Sequence, residues 1–296
     1  PLRRQRQMCI RDRSIIAYVI GLYIPHKNAS LHIEDRGYQF GDGVYEVVLV
    51  LNKKLIDFEG HYNRLKRSLN EISLNLPISD KVIRQIFHRL VKINLITNGL
   101  IYLQVTRGVA DRAHQFPSDV QPALVATAKP TLITKTVDGK KAITTADQRW
   151  DRRDIKTIQL LPNCIAKQEA FKRDAFEAIM VLKDGTITEG ASSNLWMVDK
   201  YNQLVTRQAS CAILNGITKL SLADIAKTQK YKIVERSFTV DEAKEAKELF
   251  VTSATAIVTP IIQLNDDLIA DGKVGPVALA LRSSYLENMG LHETFF

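Results

Sequence analysis

The chain is poor in cysteine. Cys9, Cys164 and Cys211 lie far apart in 296 residues, with no CxxC pair. That spacing argues against a disulfide framework and against a cysteine zinc site, and it suits a reducing, cytoplasmic setting. Long apolar runs are missing too, and none is long enough to span a bilayer. The first residues lack the apolar stretch and small-residue cleavage site of a secretory signal. There is no internal repeat and no low-complexity tract. What remains is ordinary for a globular protein: 45% hydrophobic and 25% charged residues, in a chain long enough for one large or two medium domains.

Positive charge is in excess. The formal net charge is +9, which raises the question of nucleic acid. Its location argues otherwise. PLRRQRQMCIRDR, residues 1–13, has five arginines against one aspartate and so carries +4 of the +9. Such a segment buries too little apolar surface to order itself, and is read as a disordered basic arm outside the fold. The +5 left to the rest of the chain suits small anionic ligands. Neither a nucleic-acid partner nor a membrane is expected.

Strand signals open the fold. IIAYVIGLYI (15–24) reads as a short hairpin around Gly21, and VYEVVLVL (44–51) with KLIDF (54–58) as a second hairpin. Leu65, Leu69 and Ile72 recur at helical spacing, with Pro77 ending that helix. Ser79 is placed to cap a second helix through Val91, which Asn98-Gly99 should stop. Strands return at 101–108 and 122–129. About four strands and two helices thus make a small α+β domain at 14–129, followed by a linker at 130–137. The rest, 138–296, is strand-rich: AITTA, FEAIMVL, TITEG, NLWMV, QLVT, KIVER, ELFVT and IVTPIIQL, with an Asp184-Gly185 hairpin turn. Helices are expected at 163–174, 216–228, 240–247 and 275–288. A cleft between two such domains favours a small-ligand site.

Several polar groups stand where a purely structural protein would not need them. RRDIKTIQLLPN (152–163) puts Lys156 between a charge-rich approach and an apolar run; an amine at the edge of a core is easier to hold uncharged than one in water. YQFGDGVYEVV (38–48) sets Gly41 and Gly43 around Asp42, then Tyr45 near the start of a strand; by itself it is a tight turn into a core strand. HYNRLKR (61–67) puts Arg64 in the early turns of an amphipathic helix, with Arg67 on its outer face. In TEGASSNLW (188–196), Glu189 ends a strand before a Gly/Ser turn holding Ser192 and Ser193. LNGITK (214–219) leads from Leu214 and Gly216 into a helix at Ile217 and Thr218, whose free N–H groups suit phosphate. VTSAT (251–255) ends a strand in Ser253 and Ala254. DRAHQF (111–116) has Arg112 and His114 two apart in a polar loop, on one side of an extended chain. A solvated surface would account for several of these singly.

Their order is more specific than any one of them. EDRGYQFGDGVYEVV, IYLQVTRG, RAHQFP, DIKT, AKQEA, TEG with the following SSN, GIT and LFVTS run in sequence from about residue 15 to about 275. In this the chain resembles the D-amino acid transaminases of the fold type IV pyridoxal 5′-phosphate enzymes, a group that also holds branched-chain aminotransferases and aminodeoxychorismate lyase. The resemblance implies a two-domain α+β fold with a β-rich pseudo-barrel as its larger part, and pyridoxal 5′-phosphate as cofactor. It implies that Lys156 forms the internal aldimine and moves the α proton in a ping-pong transamination of D-alanine plus 2-oxoglutarate type. Lys167, in IAKQEA, is the competitor and is read as structural. Glu189 would hold the pyridine nitrogen. Arg64 would pair with the phosphate, helped by Gly216, Ile217, Thr218 and Ser253. Leu214, Ser192 and Ser193 would line the ring. Tyr45 would join Arg112 and His114, reaching from a second subunit, to trap the substrate carboxylate in an obligate homodimer. Ala254 departs from the pattern, standing where the family commonly has threonine and losing a hydroxyl contact while keeping a backbone N–H. No metal is implied. The alternatives on the same scaffold are a branched-chain L-aminotransferase, which lacks the Arg112/His114 pair, and an aminodeoxychorismate-type lyase. A binding module that kept the fold without catalysis is a further one.

Overall fold

The computed structural model describes residues 15–76, 78–134 and 136–291; the arm expected at 1–13 and the helix stop expected at Pro77 lie outside them. The first six strands, β1 (Ile16–Val19), β2 (Leu22–Pro25), β3 (Gly43–Leu51), β4 (Lys54–Leu55), β5 (Gly99–Thr106) and β6 (Ala123–Pro130), form one antiparallel sheet in the order β2-β1-β6-β5-β3-β4. Period-2 alternation is clear in β5, which buries Ile101, Leu103 and Val105 and leaves Leu100, Tyr102 and Gln104 half-buried. Three helices accompany this sheet: α1 (Arg36–Phe40), α2 (Phe58–Glu71) and α3 (Asp80–Ile93). Leu65 and Leu69 of α2 and Ile83, Phe87 and Leu90 of α3 pack on Val48, Ile101, Leu103 and Val105 of the sheet.

Local chemistry explains most of these elements. Ser79 caps α3, its Oγ accepting from Val82 N. Asn52 and Lys53 take left-handed φ values of 48° and 65° in the two-residue turn between β3 and β4. Helix α1 stands where the sequence reads as a turn. It is five residues long, too short for a periodic signal, and is made by Asp35 accepting from Gly37 N and by Gly41 closing it at φ 67°. Helices α2 and α3 end earlier than expected, at Glu71 and Ile93. Ser73 and Leu95 adopt left-handed φ, and Leu74 N and Ile96 N donate back to Leu69 O and Val91 O. Asn98-Gly99 therefore leads into β5 and does not stop the helix.

The second sheet contains β7 (Lys140–Ala146), β8 (Glu177–Val181), β9 (Ile187–Gly190), β10 (Asn194–Val198), β11 (Leu204–Thr206), β12 (Ile233–Glu235), β13 (Glu248–Ser253), β14 (Ile257–Leu264) and β15 (Asp267–Leu268). Its order is β12-β11-β10-β13-β14-β7-β8-β9, with β15 on β14. The sheet curls: β9 is at one end of the order, yet a turn at 191–193, tied by Gly190 N to Ser193 O, joins it directly to β10 in the interior. Strand β10, NLWMV, is buried along its whole length, as its unbroken apolar run requires. Helices α4 (Leu161–Lys172), α5 (Ile217–Thr228), α6 (Val240–Lys244) and α7 (Pro276–Asn288) complete this half. Helix α6, expected to run to 247, stops at Lys244, and Lys247 N already donates to Val198 O of β10. Residues of α5 and α7 share one apolar cluster with Trp196, Phe250, Leu49 and Leu51 of β3, and Ile56 just after β4. That cluster welds the two sheets together beneath the cleft. No helix among the described residues is long and apolar enough to cross a membrane.

Candidate functional site

Tyr45, Arg64, Lys156, Glu189, Ser192, Ser193, Leu214, Gly216, Ile217, Thr218, Ser253 and Ala254 all line one cavity of about 860 Å³ formed by both halves of the chain. Arg112 and His114 do not line it. Lys156 is the one lysine among the cavity's described lining residues. Its backbone is held on both sides: Tyr45 N donates to Lys156 O at 3.0 Å, Lys156 N donates to Ser68 Oγ at 3.3 Å, and Thr157 bridges Val44. Its Nζ lies 4.2 Å from the centre of the Tyr45 ring. Arg67, expected on an outer face, is half-exposed and pairs with Asp154, two residues before the lysine. Lys167 lies outside the cavity, with Nζ 3.1 Å from Glu177 and donating to Phe176 O at 2.7 Å.

The anion end is rigid. Arg64 Nε and Nη2 donate to the two oxygens of Glu46 at 2.7 and 2.8 Å, and Nη1 donates to Asn215 O at 3.1 Å. Those bonds use three of a guanidinium's five N–H groups and leave one on each terminal nitrogen for a ligand. Glu46 is fully buried and also lies 2.7 Å from His61 Nδ1. Burial alone would raise its pKa, but the charge and hydrogen bonds of Arg64, with that of His61, hold it at about 2. Opposite, α5 begins at Gly216 with no side-chain cap, so its first N–H groups remain for an anion. A Cβ on Gly216 would stand 2.1 Å from Asn194 Oδ1, so only glycine permits this approach.

The carboxylate end is a charge chain. Glu189 Oε1 accepts from Arg149 Nη1 at 2.6 Å and from Leu214 N at 3.0 Å, while Oε2 accepts from Asn194 Nδ2 at 2.9 Å. Arg149 is gripped in turn by Asp147, whose oxygens also accept from Arg153 and Thr188. Burial pushes the Glu189 carboxyl above its usual range against the pull of Arg149. Burial pushes Asp147 the same way, but its arginine bonds win and hold it below the usual range. Glu189 Oε2 keeps a lone-pair direction for a protonated ring nitrogen.

Ser192 and Ser193 donate to Glu177 Oε2 at 2.9 and 2.7 Å, so their hydroxyls brace the turn. Ser253 Oγ accepts from Ala256 N at 3.0 Å. Beside Ala254, Thr255 also lines the cavity and supplies a hydroxyl two residues from Ser253. Arg112 and His114 are exposed on the loop after β5 and flank the Phe40 ring, at 4.7 and 5.6 Å from its centre. An amine, an anion cradle and a buried carboxylate along one cavity are the donor set that a phosphorylated pyridine aldehyde needs, and these residues fit it.

Glu46, His61, Arg149 and Glu177 are absent from the residues that the sequence singles out, and Asn194 appears there only within the SSN motif, with no role given. Glu46 had a signal: a lone carboxylate inside the apolar run VYEVVLVL must have a partner when buried. Arg149, in the aperiodic stretch DQRWDRRD, had none.

The family model for amino-transferase class IV matches residues 43–264. The D-alanine aminotransferase of Staphylococcus aureus (strain N315) is 40% identical over 284 residues, covering 93% of this chain and 98% of its own. That of Listeria monocytogenes serotype 1/2a (strain 10403S) is 40% identical, covering 90% and 93%. Among solved structures, the branched-chain amino acid aminotransferase of Escherichia coli superposes with a TM-score of 0.84 at 20% identity, covering 94% of each chain. A match through both sheets and every wall of the cavity places the chain in the class IV aminotransferase family.

Proposed function

We propose that this aminotransferase, which uses pyridoxal 5′-phosphate, transfers the amino group of D-amino acids to 2-oxo acids, with D-alanine and 2-oxoglutarate as a typical pair. The observation that carries the reading is Lys156, whose amine stands over Tyr45 in the same cavity as Glu189 and Arg64. When bound, the cofactor supplies an aldehyde that bonds amines and a ring that takes up the electron pair left by a departing proton. Arg64 and the Ile217 and Thr218 N–H groups would hold its phosphate, and Glu189 its ring nitrogen. The Lys156 Nζ would take the proton from the substrate Cα and pass it to the cofactor's former aldehyde carbon, and would carry a proton the opposite way when the second 2-oxo acid is aminated. Val44 and Tyr45 of β3 hold the backbone at Thr157 and Lys156, and the amine lies over the Tyr45 ring.

Preference for the D enantiomer rests on Arg112 and His114 as a clamp for the substrate carboxylate, and on relatives named as D-alanine aminotransferases at 40% identity. Since neither residue lines its own chain's cavity, the clamp is read as lent to a second subunit in a homodimer. Tyr38, Trp150 and Leu161 support this, because they line the cavity yet are 83%, 44% and 71% exposed. We assign 14–129 and 138–296 to a small and a large domain joined at 130–137; the first sheet ends at Pro130 and the second starts at Lys140. A cytoplasmic setting fits the widely spaced cysteines. Assaying D- and L-amino acids with 2-oxoglutarate tests the function: kcat/KM should favour D-alanine over L-alanine and L-leucine, and a preference for L-leucine would overturn it.

A further inference from the structure

The loop carrying Arg112 and His114 has no helix or strand of its own. It is fastened to α1. Asp35 bridges Val109, Arg36 N donates to Gly108 O at 2.9 Å, and Ala110 N donates to Glu34 O at 3.4 Å. The Arg36 side chain then reaches the far side of the loop, where Nη1 donates to Ala113 O at 2.6 Å and Nη2 to His114 O at 3.4 Å. Its Nε donates to Asp42 Oδ2 at 2.8 Å, and the same oxygen accepts from Arg107 Nε at 2.8 Å. Arg36 and Arg107 are 2% and 4% exposed. Two buried cations share one oxygen of Asp42, and the buried Asp35 beside them spends its oxygens on Gly37 N and Thr106 Oγ1, so burying these charges is a poor way to gain stability alone.

The arrangement makes sense as a jig. A guanidinium's planar fork presents separate nitrogens to a carboxylate and to two carbonyls set apart from it, whereas an ammonium's three donors radiate from a single atom. The two carbonyls belong to Ala113, between the clamp residues, and to His114 itself. Phe40 lies under Arg36 at 4.7 Å and touches both Arg112 and His114, so the same α1 segment sets their side chains. We propose that Arg36, oriented by Asp42, is a positioning residue that fixes the spacing of Arg112 and His114 and so the affinity for the substrate carboxylate. This rests on the reading of Arg112 and His114 as the clamp.

The test uses holoenzyme carrying Arg36→Lys, Arg112→Ala, or both. Arg36→Lys should raise KM for D-alanine by about ten- to a hundredfold, with kcat within about twofold. Titration with propionate, the alanine skeleton without its amine, followed by visible absorbance, should weaken in parallel, while cofactor affinity holds. In the Arg112→Ala background the added effect of Arg36→Lys should shrink to what His114 alone still contributes, because both act through one loop. If Arg112→Ala raises KM but Arg36→Lys changes neither KM nor propionate binding, the proposal is wrong and the clamp stands. If Arg112→Ala changes neither, the clamp reading fails and takes the proposal with it. Equal effects of Arg36→Lys with and without Arg112 would also overturn it. Should Arg36→Lys not fold, Asp42→Asn, which keeps the fork but loosens its hold, is read by the same measurements.

Discussion

Arg64 and Arg112 stand at the two anion-binding ends of the proposed site, held in opposite ways. Arg64 is on α2, its side chain 10% exposed, locked onto both oxygens of Glu46. Arg112 is exposed on a loop; no described carboxylate pairs with it, and its guanidinium rests on the Phe40 ring. Pre-organising Arg64 costs desolvation of a buried pair, which its bidentate geometry offsets. That suits a cofactor that stays through every turnover. A substrate comes and goes, and the proposed clamp keeps the Arg112 side chain exposed while Arg36 holds the backbone beneath it at Ala113 and His114.

The largest expected effect is on the rigid side. Lys156→Ala should cut kcat by about a thousandfold or more, and borohydride reduction of the wild-type holoenzyme should tag Lys156 in peptide maps. Lys167→Ala, which removes an amine bonded to Glu177 outside the cavity, should leave kcat within about twofold. The reverse pattern would reassign the lysine. On the exposed side, Arg112→Ala should raise KM for the amino acid by about tenfold or more while cofactor binding holds. Mixing inactive Lys156→Ala chains with Arg112→Ala chains should then restore activity, since a hybrid dimer has one site with its own Lys156 and the partner's Arg112. No recovery on mixing, with dimers shown by sedimentation, would place the clamp in its own subunit and weaken the contrast.

The smallest effect sharpens the contrast through pH. Glu46 is held at about 2 against an ordinary 4.5, so its ionised form is favoured by folding. A depressed carboxyl contributes stability that is full above about pH 4.5 and lost as pH falls towards 2, on the order of 3 kcal/mol. Wild-type melting temperature should therefore fall more steeply in that window than that of Glu46→Gln, which should itself melt lower at neutral pH. Parallel curves would mean that Glu46 is not the lock on Arg64.

Strand positions were readable because apolar runs are local: VYEVVLVL, largely buried, and NLWMV, buried throughout, both formed strands. Helix ends were less so. Helices α2, α3, α4 and α5 are each closed by a left-handed residue other than glycine: Ser73, Leu95, Asp174 and Lys230. Each is followed by a residue whose N–H reaches back to the last turn, Leu74, Ile96, Ala175 and Tyr231. Burial of Leu74 and Ile96 stabilises those closures, and that burial depends on distant parts of the chain. Helix α1 was hidden for a related reason, since its anchors to Gly108 and Thr106 lie some seventy residues on.

The residue order alone determined most of the strands, though six and not about four make up the first sheet, together with the family resemblance and, Arg112 and His114 apart, the residues that came to line one cavity, because each depends on local pattern or on motifs in series. Tertiary structure alone decided which groups hold those residues: Glu46 and His61 behind Arg64, Arg149 and Asp147 behind Glu189, Arg36 behind the Arg112 loop. Charged partners separated by tens of residues leave no period in a sequence. Their pairing is set by burial, which makes an unpaired charge too costly to keep.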